Sequence, residues 1–232
     1  MHSPALDVPV VRLDDVHVEI DGHAALRGVS ATADRGRILA IVGANGSGKS
    51  TLVSVAAGLR LPTSGTATIT PGARIAFVPQ NTADSARLPL TVTDLVAMGR
   101  WRGRGAFRPL RRVDRERIGA AIDAVGLTSL AKRPLGALSG GQRQRAFVGQ
   151  ALAQDADLLV LDEPMSGLDE ASRSAVAAAV RAVASQGAAV LAVTHDLAEL
   201  GDVDGVITLA DGRIETRTSR RDTGASHMDA RS

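Results

Sequence analysis

Between residues 10 and 20 apolar side chains nearly alternate with polar ones, Val16, Val18 and Ile20 falling around His17 and Glu19, and Asp21-Gly22 follows. Period-two alternation ended by an Asp-Gly pair predicts a half-buried strand that turns into a hairpin, with the returning strand over residues 25–33. Residues 37–42 (RILAIV) lose the alternation and become nearly continuously apolar before a Gly-rich stretch, the pattern of a strand covered on both faces in a parallel sheet. A helix is expected over 49–57, and short strands over 65–69 and 74–78 lead to Pro79-Gln80. The period then changes. Thr91 and Asp94 form a capping-box start to a segment carrying Leu95, Val96 and Met98, and further helices are expected over 114–125 and 142–154. Buried-strand character returns at 157–162 (DLLVLD) and 188–194 (AAVLAVT), with a helix over 170–185 between them. Strand and helix alternation interrupted by helices predicts one α/β domain over 1–215. Its core, about 10–81 and 154–215, carries a mostly parallel sheet and an N-terminal antiparallel hairpin region. A helical insertion occupies about 82–153, and the polar residues 216–232 read as a flexible tail.

Composition narrows this reading. A chain of 232 residues with 44% hydrophobic positions can bury a sizeable core, and the absence of Cys removes disulfides and thiolate metal sites. The N-terminal residues lack the basic flank and apolar run of a signal peptide, so secretion is not expected. Nowhere do about 18 apolar residues run together, so a role in transport requires separate membrane subunits. The pI of about 9.8 suggests a polyanion partner, but the net charge is only +2. Of the 27 basic residues only Lys49 and Lys132 are Lys, and with no Tyr or Cys almost nothing titrates between about pH 8 and 12. No nucleic-acid partner follows. His2, His17, His23 and His227 lack ligand spacing and read as scattered solvated side chains.

The chemistry lies in three short motifs. Gly43-Ala44-Asn45-Gly46-Ser47-Gly48-Lys49-Ser50, with Thr51 next, fits G-x-x-x-x-G-K-[ST] between a buried strand and a helix. Its amides can point into one concavity at a helix N-terminus, Lys49 can reach β- and γ-phosphates, and the Ser50 hydroxyl can ligate Mg²⁺. That makes the core a P-loop NTPase and leaves kinases, GTPases, helicases and transport ATPases open. Leu138-Ser139-Gly140-Gly141-Gln142 is a second Gly-containing loop at a helix start, 89 residues beyond Lys49. It forms a second anion site, which has a use if it meets the nucleotide of another copy. Asp162 and Glu163 end the buried run at 157–162, where open α/β sheets place their ligands. Asp162 is suited to hold Mg²⁺, and Glu163 to act as general base on the attacking water.

With these motifs the chain resembles, over roughly residues 10–215, the ATP-binding cassette subunit of ABC transporters. The resemblance implies a head-to-tail dimer, ATP being sandwiched between one subunit's P-loop and the other's signature loop, residues 138–142. It implies that Ser166-Gly-Leu-Asp169 is the D-loop crossing the dimer interface, that His195 is the switch histidine at the γ-phosphate, and that Gln80 is the Q-loop glutamine approaching Mg²⁺ and water. Where the family often stacks adenine on an aromatic ring, the aligned position here is Ile20, which implies ATP binding with some tolerance of GTP. The run from Leu88 to Trp101, containing TVTDLVAMGR, is similar to importer cassettes for zinc and manganese, with siderophore, haem and cobalamin importers as the alternative. A soluble, non-transport cassette is the reading from another class, and DNA-repair types carry coiled-coil insertions absent here. The implied partners are a second cassette subunit, multi-span permease subunits and an extracytoplasmic solute-binding protein, with this chain peripheral on the cytoplasmic face of the membrane. Eight Arg against two acids between Arg100 and Arg117 read either as a basic lip toward the anionic inner leaflet or as a solvated helix face.

Overall fold

The computed structural model describes residues 8–101 and 109–219. Two sheets carry the architecture. Strands β1 (Pro9–Ile20), β2 (His23–Asp34) and β4 (Ser64–Ile69) form an antiparallel sheet in the order β2-β1-β4. The predicted Asp21-Gly22 turn joins β1 to β2, with both residues at positive φ (50° and 75°), as the favoured two-residue hairpin requires. The second sheet has the order β5-β6-β7-β3-β8-β9, from β3 (Ile38–Gly43), β5 (Ile75–Val78), β6 (Leu158–Asp162), β7 (Ala189–Val193), β8 (Gly205–Ala210) and β9 (Arg213–Ser219). All its pairings are parallel except β8 with β9.

The continuous apolar runs now have a cause. Leu158 and Val160 of β6 enter the core under the antiparallel sheet and helix α1 (Lys49–Ala56), while Leu159 and Leu161 enter the core shared with the helices on the opposite face. Covered on both sides, the strand has no polar position to spare. Helices α2 (Val92–Met98), α3 (Arg112–Ala124) and α4 (Gly140–Ala153) lie between β5 and β6 in the chain, and α5 (Glu170–Ser185) between β6 and β7. The Thr91 hydroxyl accepts from the Asp94 amide and the Asp94 carboxylate from the Thr91 amide, closing the predicted box. Its hydrogen bonds from Thr91 hold the Asp94 carboxyl below the usual range.

Two expectations change. Helix α4 starts at Gly140 rather than Gln142, because Ser139 and Gln142 cap each other and draw both glycines into the first turn. Residues 216–219 are not tail: they complete β9 (Arg213–Ser219), an edge strand that pairs with β8 and is mostly exposed, so its polar composition hides it from a burial-based reading. Residues 220–232 lie outside the described residues. Part of the arginine-rich stretch is structural. Arg100 is nearly buried, pairing through Nε with the buried Asp114 at 3.1 Å and donating to the Ala153 carbonyl at 2.9 Å, so it ties α2, α3 and α4 together. Arg112 pairs with Glu116 and Arg117 with Asp155, while Arg102, Arg104 and Arg108 lie outside the described residues.

Candidate nucleotide site

Residues separated by more than a hundred positions meet because four parallel strands end side by side. In sheet order, β5 ends before Gln80, β6 at Asp162 and Glu163, β7 before Thr194 and His195, and β3 at Gly43, where the P-loop begins. Their carboxyl ends open on a cavity of about 370 Å³ lined by Ala25, Asn45, Gly46, Gly48, Lys49, Ser50, Thr51, Gln80 and Glu163. This is where an α/β sheet receives ligands.

The loop depends on glycine at two tight places. Gly43 has φ 151°, and a Cβ there would lie 2.2 Å from the Leu209 carbonyl oxygen; Gly48 has φ 102°, and its Cβ would meet the Ala25 oxygen at 2.5 Å. Without a side chain at Gly48, β2 can cross close to the start of α1 and bring Ala25 into the cavity wall. Ile20, at the hairpin tip opposite His23, packs instead against the core and does not line this cavity. Ala25 carried no signal in the sequence, since a small residue in a strand is unremarkable. The Lys49 ammonium donates to the carbonyls of Gly43 (2.9 Å) and Ala44 (2.8 Å) and is almost wholly buried. The Ser47 hydroxyl is buried without a protein partner.

Two carboxylates stand across the loop. The Ser50 hydroxyl donates to Asp162 Oδ1 at 3.3 Å. Burial pushes the Asp162 carboxyl up; the bond from Ser50 opposes this, the neighbouring Glu163 adds to it, and the Lys49 ammonium pulls it back. A buried carboxylate beside a hydroxyl is a hard-oxygen donor pair that fits a divalent cation such as Mg²⁺, whose charge would relieve the desolvation. Glu163 adopts φ 49°, uncommon for a residue with a side chain and worth on the order of 1–3 kcal/mol of local strain. Its amide donates to the Val193 carbonyl and its own carbonyl accepts from the Ser166 amide, which hold the turn. One carboxylate oxygen accepts from Gln80 Nε2 at 2.6 Å, and the other lies 2.6 Å from His195 Nε2, a donor when that nitrogen carries the proton. Gln80, Glu163 and His195 therefore form one chain of contacts at the cavity edge.

The signature residues 138–142 lie elsewhere. Leu138 is buried, Ser139 and Gly140 are exposed at the start of α4, and none of the five lines the P-loop cavity. Gly141 packs against the turn before α5, where an added Cβ would sit 2.9 Å from Leu168. Asp169 caps α5 by accepting from the Ser172 amide at 2.8 Å, and the bonds from Ser172 lower its pKa. Within one chain, then, the signature loop and Asp169 neighbour each other while the P-loop site lacks both.

No helix among the described residues is long and apolar enough to cross a membrane. The chain is 36% identical over 236 residues to the chelated iron transport system membrane protein YfeB of Yersinia pestis, covering 95% of this chain and 80% of that one. It is 36% identical over 193 residues to the manganese transport system ATP-binding protein MntB of Bacillus subtilis, covering 81% and 77%. A solved dimeric structure of a bacterial ABC transporter cassette superposes with a TM-score of 0.79 at 26% identity, over 90% of this chain and 98% of that one. The family described as ABC transporter matches residues 26–166. With the P-loop, the acidic strand end and the signature helix arranged on that cassette fold, the chain belongs to the ABC transporter family, as an ATP-binding cassette.

Proposed function

We propose that this chain is the ATP-hydrolysing subunit of a bacterial importer for a first-row transition metal such as manganese or zinc, working as a pair of cassettes beneath multi-span permease subunits at the cytoplasmic face of the membrane, with an extracytoplasmic solute-binding protein delivering the cargo. The observation that carries it is Glu163 at the edge of the P-loop cavity, both carboxylate oxygens engaged at 2.6 Å by Gln80 and His195. In this reading Glu163 takes the proton of the attacking water, His195 and Gln80 hold that carboxylate and the water in line, and Lys49 with the amides of residues 43–51 binds the phosphates. Ser50, Asp162 and the side-chain carbonyl of Gln80 hold Mg²⁺, which supplies charge neutralisation to the β- and γ-phosphates when bound. Residues 82–153 act as a unit that carries Ser139, Gly140 and Gly141 to the nucleotide of the partner cassette, and Asp169 lies at that interface. A second anion-binding helix start, remote from the chain's own P-loop, supports a head-to-tail pair, as does the likeness to a dimeric cassette.

The metal cargo is supported by the names of similar chains, one for manganese and one for chelated iron. Deleting the gene is expected to lower cellular manganese or zinc, measured by elemental mass spectrometry in metal-poor medium, with recovery on re-expression. Normal manganese and zinc with depleted iron would move the cargo to the chelated-iron class; unchanged metals would end the importer reading. Neither Ile20 nor Ala25 offers a π-face, whose added value is about 1 kcal/mol. GTP is therefore expected to compete with ATP to within about tenfold in nucleotide displacement, and strict ATP selectivity would contradict this.

A further inference from the structure

The contacts around the loop after β5 assign a task to a residue outside every motif above. Gln144 lies in the second turn of α4, a polar side chain that is 5% exposed. Its Nε2 donates to the Pro79 carbonyl at 3.1 Å and its Oε1 accepts from the Thr82 hydroxyl at 3.2 Å. Both ends of one buried amide thus grip the chain on either side of Gln80 and Asn81, while Thr82 begins the following 3-10 turn and its carbonyl accepts from Ser85 at 2.5 Å. A loop at a sheet end would otherwise be among the parts of a fold freest to open locally. Here its ends are pinned to a helix that is itself capped by Ser139 and Gln142.

We infer that Gln144 is a positioning residue for Gln80: it holds the loop so that Gln80 Nε2 meets Glu163 Oε2, and it joins the signature helix to the chain's own catalytic carboxylate. The inference rests on the proposed roles of Gln80 and Glu163 in hydrolysis. Ser139 and Gln144 are five residues apart, about 7.5 Å along a helix, so a shift of the signature loop on meeting a partner's nucleotide moves the amide that sets Gln80. The site reading alone treats the signature loop and Gln80 as belonging to different nucleotides, and Gln144 connects them within one chain.

The test is a double-mutant cycle in the full chain, read by steady-state and single-turnover ATP hydrolysis. Gln144→Leu, which keeps volume and removes both bonds, is expected to slow turnover about tenfold while KM for ATP stays within about twofold. Added to Gln80→Ala it is expected to cost nothing further, because the residue it positions is gone. Thr82→Val removes half of the clasp without touching α4 and takes the same place in the cycle if Gln144→Leu fails to fold. Losses that multiply in the double variant, or a KM that rises in step with the loss of kcat, overturn the positioning role, since a purely structural contribution acts regardless of Gln80. A wild-type chain without turnover overturns the catalytic reading, and the inference with it.

Discussion

Glu163→Gln is expected to hydrolyse ATP about a thousandfold more slowly than the wild-type chain while binding it with unchanged affinity. Gln has the size and planar shape of Glu, so it fits the same turn at φ 49° beside Val193 and Ser166 and leaves the strain and packing of the strand end as they are. It still offers one oxygen and one nitrogen to Gln80 and His195. What it lacks is a basic oxygen to take a proton from water. Binding depends on the P-loop and survives; turnover depends on the proton and does not. If closure of two cassettes follows ATP binding and opening follows hydrolysis, the variant accumulates as an ATP-dependent dimer, visible by size-exclusion chromatography with light scattering. Hydrolysis at the wild-type rate would remove Glu163 from the role of base.

Lys49→Met carries the second large effect, on affinity rather than rate. In the structure the almost wholly buried Lys49 satisfies its ammonium on the carbonyls of Gly43 and Ala44, a neutral pair of acceptors. Phosphate oxygens are stronger acceptors, and hydrogen bonds to charged groups are worth about 1.5–3 kcal/mol each. Losing such contacts to the β- and γ-phosphates corresponds to a dissociation constant raised about a hundredfold, measured by calorimetry or with a fluorescent ATP analogue. Met keeps the unbranched stem out to Cε, so the melting temperature tests whether the loop itself has held. An affinity within about threefold of wild type would mean that the backbone amides bind the phosphates without the lysine.

Both of these residues are legible in the sequence. Lys49 and Glu163 sit in contiguous stretches whose chemistry is local: a strand, a run of glycines and a helix start for one, an apolar strand ending in two acids for the other. The capping box at Thr91 and Asp94 and the hairpin at Asp21-Gly22 were readable for the same reason. Gln80 and His195 are single polar residues at strand ends, and only the family resemblance singled them out; their meeting on Glu163 depends on β5, β6 and β7 lying next to one another. Strand β9 was missed although Asp211-Gly212, with φ of 47° and 75°, repeats the hairpin signal seen at Asp21-Gly22, because an exposed edge strand needs no apolar face.

The arginines make the same distinction for charge. A count along residues 100–117 shows a strong positive excess, yet Arg100, Arg112 and Arg117 each face an acid, two of these within that stretch and one, Asp155, beyond it. A count along that stretch cannot register Asp155, which the loop between α4 and β6 supplies. Gln144 and Ala25 are the corresponding cases for the site: one reaches back 62 residues to Thr82, the other approaches Gly48 from the β1–β2 hairpin.

What the amino-acid order determined alone is the set of reacting groups and the local frames that present them, because backbone turns, caps and buried strands are written within a few residues of themselves. Tertiary structure decided which groups share a cavity, which arginines remain charged surface, and that the signature loop stays away from its own chain's P-loop. Those outcomes follow from strand order and helix packing, where contacts are chosen by burial of apolar faces rather than by proximity along the chain.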